Sequence, residues 1–319
     1  MTSRSNAIAL ALAAPAAALL LCSSAAAAKK PRLGVIVVLD QVRALEVDRY
    51  APFFGPGGFG GLLGVGRDGA RFDAYYAYAD TQTGPGHATI ATCANPSVHG
   101  ICTNAWFEDG AKRYVVDDKD APVLGASAAT PGRGPSALLV PTLGDAMKGD
   151  SFGKAHVVTV SLKDRAAILT GGRGADLAIW YEPEQGRFTT SKAYANELPP
   201  WLADVGAALP KRAMATGTWS PLPVPKGLEA LVPIDDRAGE GGHDGLSRVF
   251  PHDLSAVPEA QRRRMYRLAP QSIDDLFALA LAAVDHVGLG KDDEPDLLVV
   301  SVSTTDFVGH NFGPDSLEE

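Results

Sequence analysis

The sequence predicts an α/β fold built on a mostly parallel sheet, and three observations carry that expectation. The runs Leu33-Gly-Val-Ile-Val-Val-Leu39 and Leu297-Leu-Val-Val-Ser-Val-Ser303 are apolar without clean alternation, the pattern of strands buried on both faces. A further strand-like run, His156-Val-Val-Thr-Val-Ser-Leu162, lies between them. The amphipathic pattern from Ser272 to Val287 leads back into the Leu297 strand, an alternation of βα type. With 319 residues, 46% of them hydrophobic, the chain is large enough to bury a sizeable core.

Taken in chain order, the first segment is the easiest to read. Arg4 is the only charge among the first 28 residues, and Ala7 to Leu21 is an apolar stretch of 15 residues. Ser23-Ser-Ala-Ala-Ala-Ala28 supplies small residues for cleavage, so residues 1–28 read as a secretory signal peptide. Pro15 interrupts the run, which falls short of the roughly 20 apolar residues of a membrane span, so no anchor is expected after cleavage. Export implies a periplasmic or secreted protein in an oxidising compartment. Cys93 and Cys102 would remain there, and a disulfide or two separate thiols stand as equal alternatives. The formal charge of −8 becomes −9 once Arg4 is removed, which argues against a nucleic-acid-binding surface. Arg262-Arg-Arg264, the only basic run, reads as a solvated helix face. Two stretches broken by Gly and Pro, near 108–140 and 199–258, read as loop or cap excursions from the sheet.

The chemistry concentrates in the stretch from Thr81 to Trp106. Thr83 stands before a Gly84-Pro-Gly86 turn that feeds a helix of small and β-branched residues. Pro85 suits the first helical position, because its fixed φ fits and its missing N–H would be unpaired there. Thr83 then lies near a helix N-terminus, where free N–H groups and the macrodipole favour negative charge. That is a sensible place for an oxygen nucleophile attacking a phosphate. Asp40 follows the first apolar run, and Asp306 and His310 follow the second. In open α/β sheets ligands bind beyond the carboxyl ends of the strands, so these three read as metal ligands. Lys163 and Arg165 follow the middle strand; on a continuing strand residues i and i+2 point the same way and would converge on one site.

Four blocks in this order resemble one known family. They are Val35-Ile-Val-Val-Leu-Asp40; Thr83-Gly-Pro-Gly-His87 with His99-Gly-Ile-Cys-Thr-Asn104-Ala-Trp106; Ser161-Leu-Lys-Asp-Arg-Ala-Ala-Ile168; and Ser303-Thr-Thr-Asp-Phe-Val-Gly-His-Asn-Phe-Gly-Pro314. The chain is similar to the type I phosphodiesterase/nucleotide pyrophosphatase branch of the alkaline phosphatase superfamily, and within it to bacterial periplasmic alkaline phosphatases with a threonine nucleophile. The resemblance implies a three-layer α/β/α alkaline-phosphatase-like sandwich. It implies Thr83 as nucleophile through a phosphothreonine intermediate, with Asp40 and Thr83 on one metal and Asp306 and His310 on a second. It implies that Asn104, Lys163 and Arg165 contact the phosphoryl oxygens of small phosphate esters. Two Zn2+ ions per complete site are expected, since carboxylate and imidazole ligands suit zinc and two metals can clamp the attacking and leaving oxygens.

A monoester carries more negative charge on its phosphoryl group than a diester, so two cations facing that group favour phosphomonoester hydrolysis. A phosphodiesterase or nucleotide pyrophosphatase is the alternative within the class; Thr83 argues against a sulfatase, which uses a modified Cys or Ser. The family completes its metal sites with an Asp-His pair and another His beyond the block ending near Pro314, and the chain stops at Glu319. Asp285-His286, His243-Asp244 and His252-Asp253 are poor substitutes, the last two in loop-like sequence where exposure is the default. The resemblance therefore leads us to expect an N-terminal portion of the catalytic domain, truncated at the C-terminus and weakly active or inactive by itself. A non-catalytic periplasmic remnant is the alternative from another class.

Overall fold

The computed structural model describes residues 30–54, 69–215, 217–242 and 246–319. The expected signal peptide, residues 1–28, lies outside the described residues, as does His243-Asp244. The chain opens with strand β1 (Leu33–Leu39) and helices α1 (Ala44–Tyr50), α2 (Thr83–Thr92) and α3 (Pro96–His99). A hairpin of β2 (Ala105–Glu108) and β3 (Ala111–Tyr114) precedes α4 (Leu143–Asp150), β4 (Val157–Ser161) and α5 (Asp164–Gly171). Next come β5 (Leu177–Glu182), β6 (Arg187–Thr189), α6 (Pro200–Met214), β7 (Thr218–Trp219) and β8 (His252–Asp253). The chain closes with α7 (Glu259–Met265), α8 (Gln271–Val287), β9 (Asp296–Val302) and α9 (Thr304–Asn311).

The central sheet has the order β1-β9-β4-β5-β6, and only β6 runs antiparallel. Every residue of β4 and β9 is buried, as their unbroken apolar runs require. β1 departs from the expectation of burial on both faces: as the edge strand it leaves Val35 and Val37 about half exposed, at 55% and 48%. α8 shows why its sequence is amphipathic. Leu276, Leu279, Ala280 and Ala283 recur at helical spacing and pack against Val158, Val160, Leu298 and Val300. The helix ends at Gly288, whose φ of +84° lets its N–H close back on the Val284 carbonyl at 3.0 Å. On the opposite face Ala88 of α2 and Ile168 and Leu169 of α5 cover Ala178 and Trp180. Helices on both faces of a largely parallel sheet make the expected three-layer α/β sandwich. Burying each Leu or Ile in these layers stabilises the fold by about 1.5–3 kcal/mol.

The stretch near 199–258 is more ordered than its Pro and Gly content suggests. Its first part is α6, a 15-residue helix that begins with Pro200 at N1 and packs Leu202 into the sheet core. The later part builds a satellite core in which Trp219, Leu246, Leu254 and Val257 surround Val308 and Phe312. His252 lies there too, contrary to the exposure expected for a loop. It is 1% exposed among Trp219, Phe250 and Phe312, and its Nε2 meets Glu318 Oε1 at 3.0 Å. Trp219, Phe312 and the Glu318 carboxylate, all distant in sequence, join the nearby Phe250 in burying it. His286 stacks on Trp201 at 5.2 Å between ring centroids. Both Cys93 and Cys102 are exposed free thiols. No helix among the described residues is long and apolar enough to cross a membrane.

Register is what matters for the site. Leu39 stands opposite Val302, and Ser161 opposite Ser301, so the carboxyl ends of β1, β9 and β4 are level. Asp40 and Ser303, which follow them directly, and Lys163, one residue beyond Leu162, therefore leave the sheet side by side.

Candidate active site

Asp40 continues the ladder by one bond, its N–H donating to the Val302 carbonyl at 2.9 Å. The chain then turns at Gln41 (φ +67°), and the Thr305 hydroxyl pins the Asp40 carbonyl at 2.6 Å. The Asp40 carboxylate is thus held at the strand end, where the side chain of Lys163 reaches it. Lys163 Nζ lies 2.6 Å from Asp40 Oδ2 and 3.1 Å from Thr83 Oγ1, and it is also bonded to Asp306 Oδ2. Thr83 donates its hydroxyl to the same Asp40 oxygen at 3.3 Å. One ammonium group, its side chain only 1% exposed, thereby gathers two carboxylates and a hydroxyl from three separate segments. Burial pushes the Asp40 carboxyl up, but the charges of Lys163 and Arg165 and the Lys163 hydrogen bond help to outweigh it and leave it below the usual carboxylate range.

Helix α2 begins earlier than its Pro suggests. Its first residue is Thr83 itself, which places Pro85 third in the helix. Pro85 is tolerated because that position is still in the first turn, whose N–H groups have no helical partner. The first helical bond runs from the Gly86 N–H to the Gln82 carbonyl at 3.0 Å. Thr83 therefore stands at the helix N-terminus with its hydroxyl turned to Asp40. Asn104 accepts the Gly84 N–H through Oδ1 at 2.7 Å. A backbone N–H only donates, so the Asn104 Nδ2 group faces away from it with both of its donors available.

His87, one turn after Thr83, anchors α2 to the sheet. Its Nδ1 meets the Thr83 carbonyl at 2.8 Å and its Nε2 meets Ser301 Oγ at 2.8 Å. The carbonyl only accepts, so Nδ1 carries the hydrogen and Nε2 accepts from Ser301. Burial, at 3% exposure, pulls the His87 pKa below its ordinary 6.5 against the opposing pull of Asp40. The folded imidazole resists a proton that the unfolded chain takes up, so this contribution to stability is complete above pH 6.5 and is lost as pH falls below it. His87→Gln should remove that part of the acid slope in urea unfolding between pH 5 and 7.5, while costing about 1–3 kcal/mol at neutral pH by leaving buried partners unpaired. An unchanged slope would show that His87 does not titrate on unfolding.

Arg165 lies elsewhere than strand geometry suggests. The chain turns into α5 immediately after Lys163, so the two cations do not share a strand face. Lys163 points into the carboxylates, while Arg165 Nη1 donates to the Tyr114 hydroxyl at 3.1 Å. That hydroxyl donates to Asp164 Oδ1 at 2.6 Å, and Asp164 Oδ2 accepts from Arg133 Nε at 2.9 Å. The adjacent carboxylate is thereby occupied by Tyr114 and Arg133, and the guanidinium of Arg165 keeps its charge uncancelled by direct pairing. Asp306 and His310 prove to be one helical turn apart on α9, with His310 Nε2 3.6 Å from Asp306 Oδ1 and its side chain 73% exposed. Among the described residues, no group of three or more His, Cys, Asp or Glu side chains is arranged to hold a metal ion.

The structure thus brings Asp40, Thr83, Lys163 and Asp306 into direct contact and sets Asn104 and His310 beside them. Sequence reasoning missed Gln82, His87, Ser301, Thr305 and Tyr114. Only His87 carried a usable signal, since a residue four after Thr83 on a helix shares its face.

A mostly parallel sheet flanked by helices, with a hydroxyl, two carboxylates and a lysine beyond its strand ends, defines an alkaline-phosphatase-like α/β sandwich. The chain belongs to the type I phosphodiesterase/nucleotide pyrophosphatase family, whose model matches residues 35–319. It is 33% identical over 293 residues to alkaline phosphatase PhoV of Synechococcus elongatus, a span of 91% of this chain and 52% of that protein. It is also 33% identical over 295 residues to alkaline phosphatase PafA of Elizabethkingia meningoseptica, covering 91% of this chain and 53% of PafA. The crystal structure of wild-type PafA matches with a TM-score of 0.81 at 32% identity, over 92% of this chain and 56% of that one. A PafA variant altered at a threonine, an asparagine, a lysine and an arginine matches with a TM-score of 0.82 at 31% identity, over 92% of this chain and 57% of that one. The chain spans about half the length of these relatives.

Proposed function

We propose that the chain carries the nucleophile-bearing part of a secreted, zinc-dependent phosphomonoesterase that works through phosphothreonine. The observation that carries this reading is the Thr83 hydroxyl at a helix N-terminus, bonded to both Asp40 and Lys163. Likeness to proteins named alkaline phosphatases supports the monoester activity. The four residue types altered in the PafA variant are those of Thr83, Asn104, Lys163 and Arg165. The apolar leader of the sequence supports export to the periplasm.

Thr83 Oγ1 attacks phosphorus as the bond to the leaving alcohol breaks; its hydroxyl proton passes to water, and the departing oxygen takes a proton back from water. A water molecule then attacks the phosphothreonine, which releases inorganic phosphate and restores the hydroxyl. Lys163 donates to Oγ1 and offsets the charge that grows there. Asn104 Nδ2 and Arg165 grip the non-bridging oxygens, Arg165 with two parallel donors. Asp40, held below the usual carboxylate range, is too weak a base to activate the hydroxyl alone. The donor chemistry fits metal ions as far as it goes: Asp40 and Thr83 would hold one, and Asp306 and His310 the other. Bound zinc would supply the Lewis acidity that makes a threonine hydroxyl nucleophilic at neutral pH. Among the described residues this gives two protein ligands for each ion, against the three or four usual for stable zinc sites.

Arg165 decides the substrate class. Arg165→Ala should lower kcat/KM for p-nitrophenyl phosphate on the order of 10²-fold, but for bis-p-nitrophenyl phosphate about tenfold or less. Equal losses would undo the monoester assignment, and a wild-type preference for the diester would replace it with phosphodiesterase activity. Phosphate binding with no turnover in saturating zinc would make the chain a non-catalytic binder.

A further inference from the structure

The Asn104 amide is aimed by a pair of crossed hydrogen bonds, and one of the two residues that make them has no role in the reaction outlined above. Gln82 immediately precedes the nucleophile and occupies the N-cap position of α2. Its side chain does not cap that helix. Gln82 Oε1 instead accepts the backbone N–H of Asn104 at 2.9 Å and the hydroxyl of Thr103 at 3.1 Å. Asn104 returns the bond, its Oδ1 accepting the Gly84 N–H at 2.7 Å. Thr83 lies between the acceptor Gln82 and the donor Gly84, one neighbour on each side bonded to Asn104. The Asn104 carbonyl is held as well, by the Val115 N–H at 2.9 Å. Both backbone polar groups and one side-chain oxygen of Asn104 are thus committed, leaving only the Nδ2 donors for a ligand.

Local packing has been shaped around the exchange. A Cβ on Gly84 would come within 2.9 Å of Asn104 Oδ1, so the absence of a side chain there is what admits the amide. Gln82 itself is exposed and buries little, so its two hydrogen bonds are its main contribution.

We infer that Gln82 is a positioning residue: it fixes the segment carrying Asn104 to the nucleophile helix, so that Asn104 Nδ2 and Thr83 Oγ1 meet the same phosphoryl group. This rests on the phosphoryl-transfer reading of the site. Removal of the bonds leaves Gly84 as the only hydrogen-bonded tie between Asn104 and the nucleophile helix, the Val115 N–H holding its carbonyl from the other side, and lets its amide drift relative to Thr83. A drift of a fraction of an ångström in such a contact lowers reactivity about tenfold.

The test uses the full chain and two readouts: kcat/KM for p-nitrophenyl phosphate, and the affinity for inorganic phosphate by calorimetry. Gln82→Ala should weaken both about tenfold, while Gln82→Glu, whose carboxylate accepts the same two bonds, should stay within about threefold of wild type. The deciding comparison is the double variant. Gln82→Ala should add nothing in an Asn104→Ala background, and its full effect should persist in an Arg165→Ala background. A Gln82→Ala loss of equal size in the Asn104→Ala background would overturn the inference, as would no loss in wild type. Gly84→Ala, which displaces the Asn104 amide from the opposite side, should mimic Gln82→Ala. If wild type binds phosphate but does not turn over the ester, the enzymatic reading fails, and the phosphate affinities still decide the role of Gln82. If wild type does not bind phosphate, both fall.

Discussion

Thr83→Ala is expected to abolish phosphoenzyme formation and to lower turnover of p-nitrophenyl phosphate on the order of 10³-fold or more, the scale of losing a covalent nucleophile. The fold should lose no more than about 2 kcal/mol. Thr83 is the first residue of α2, where alanine is tolerated, and its hydroxyl makes two hydrogen bonds whose net worth is about 1 kcal/mol each. Thr83→Ser retains the hydroxyl and should retain the labelled intermediate after acid quench. A 32P-labelled protein that survives the alanine substitution would remove Thr83 from its role. The contrast between alanine and serine separates chemistry from stability, because only the first deletes the attacking oxygen.

Lys163 should show the second large effect, and there it is stability that moves. Its ammonium lies buried between Asp40 and Asp306. Lys163→Met keeps the volume and deletes the charge, which leaves two carboxylates facing each other out of water. Breaking a buried charge cluster from one side costs about 3–5 kcal/mol, because the remaining charges lose their partner without regaining solvent. The loss should be greatest at neutral and alkaline pH and should shrink toward pH 4, where a proton can replace the missing positive charge. Urea unfolding of both proteins across that range, in the presence of a chelator so that no added cation substitutes for the ammonium, measures it directly. A loss below about 1 kcal/mol would mean that the cluster is solvated enough to behave as a surface ion pair. Asp40 explains the expected sign: the lysine is a main reason that its carboxyl titrates below the usual range despite burial.

Lys163 and Arg165 also show how far local pattern carries. Their types and spacing, together with the family resemblance, placed two cations beside the proposed phosphoryl site, and Tyr114 shows why spacing alone could not orient them. A strand that stops at Ser161 and a helix that starts at Asp164 turn the two side chains to different partners. Whether a chain leaves a strand straight or as a helix depends on what waits beyond the sheet edge. Here that is Asp40 and Asp306 for one residue and Tyr114, supplied by β3, for the other. His252 is the same lesson in reverse. Its surroundings in sequence are rich in Pro, Gly and charge, yet Trp219, Phe312 and Glu318 bury it.

The sequence by itself determined the main strands of the sheet, the long helix from Gln271 to Val287 and the chemical inventory. The apolar runs at Leu33, His156 and Leu297 read as strands of a mostly parallel sheet, and Asp40, Thr83, Asp306 and His310 stood out because they follow strands or precede a helix. The Thr83, Asn104, Lys163 and Arg165 set was legible through family resemblance. Tertiary structure alone decided that Lys163 bridges Asp40 and Asp306, that Gln82 and Gly84 both bond Asn104 from either side of Thr83, and that Arg165 leans on Tyr114. Each of these contacts joins segments from different parts of the chain. The strand register that levels β1, β4 and β9, and the exact residue at which α2 begins, bring them within hydrogen-bond distance, and neither is encoded by a residue's immediate neighbours.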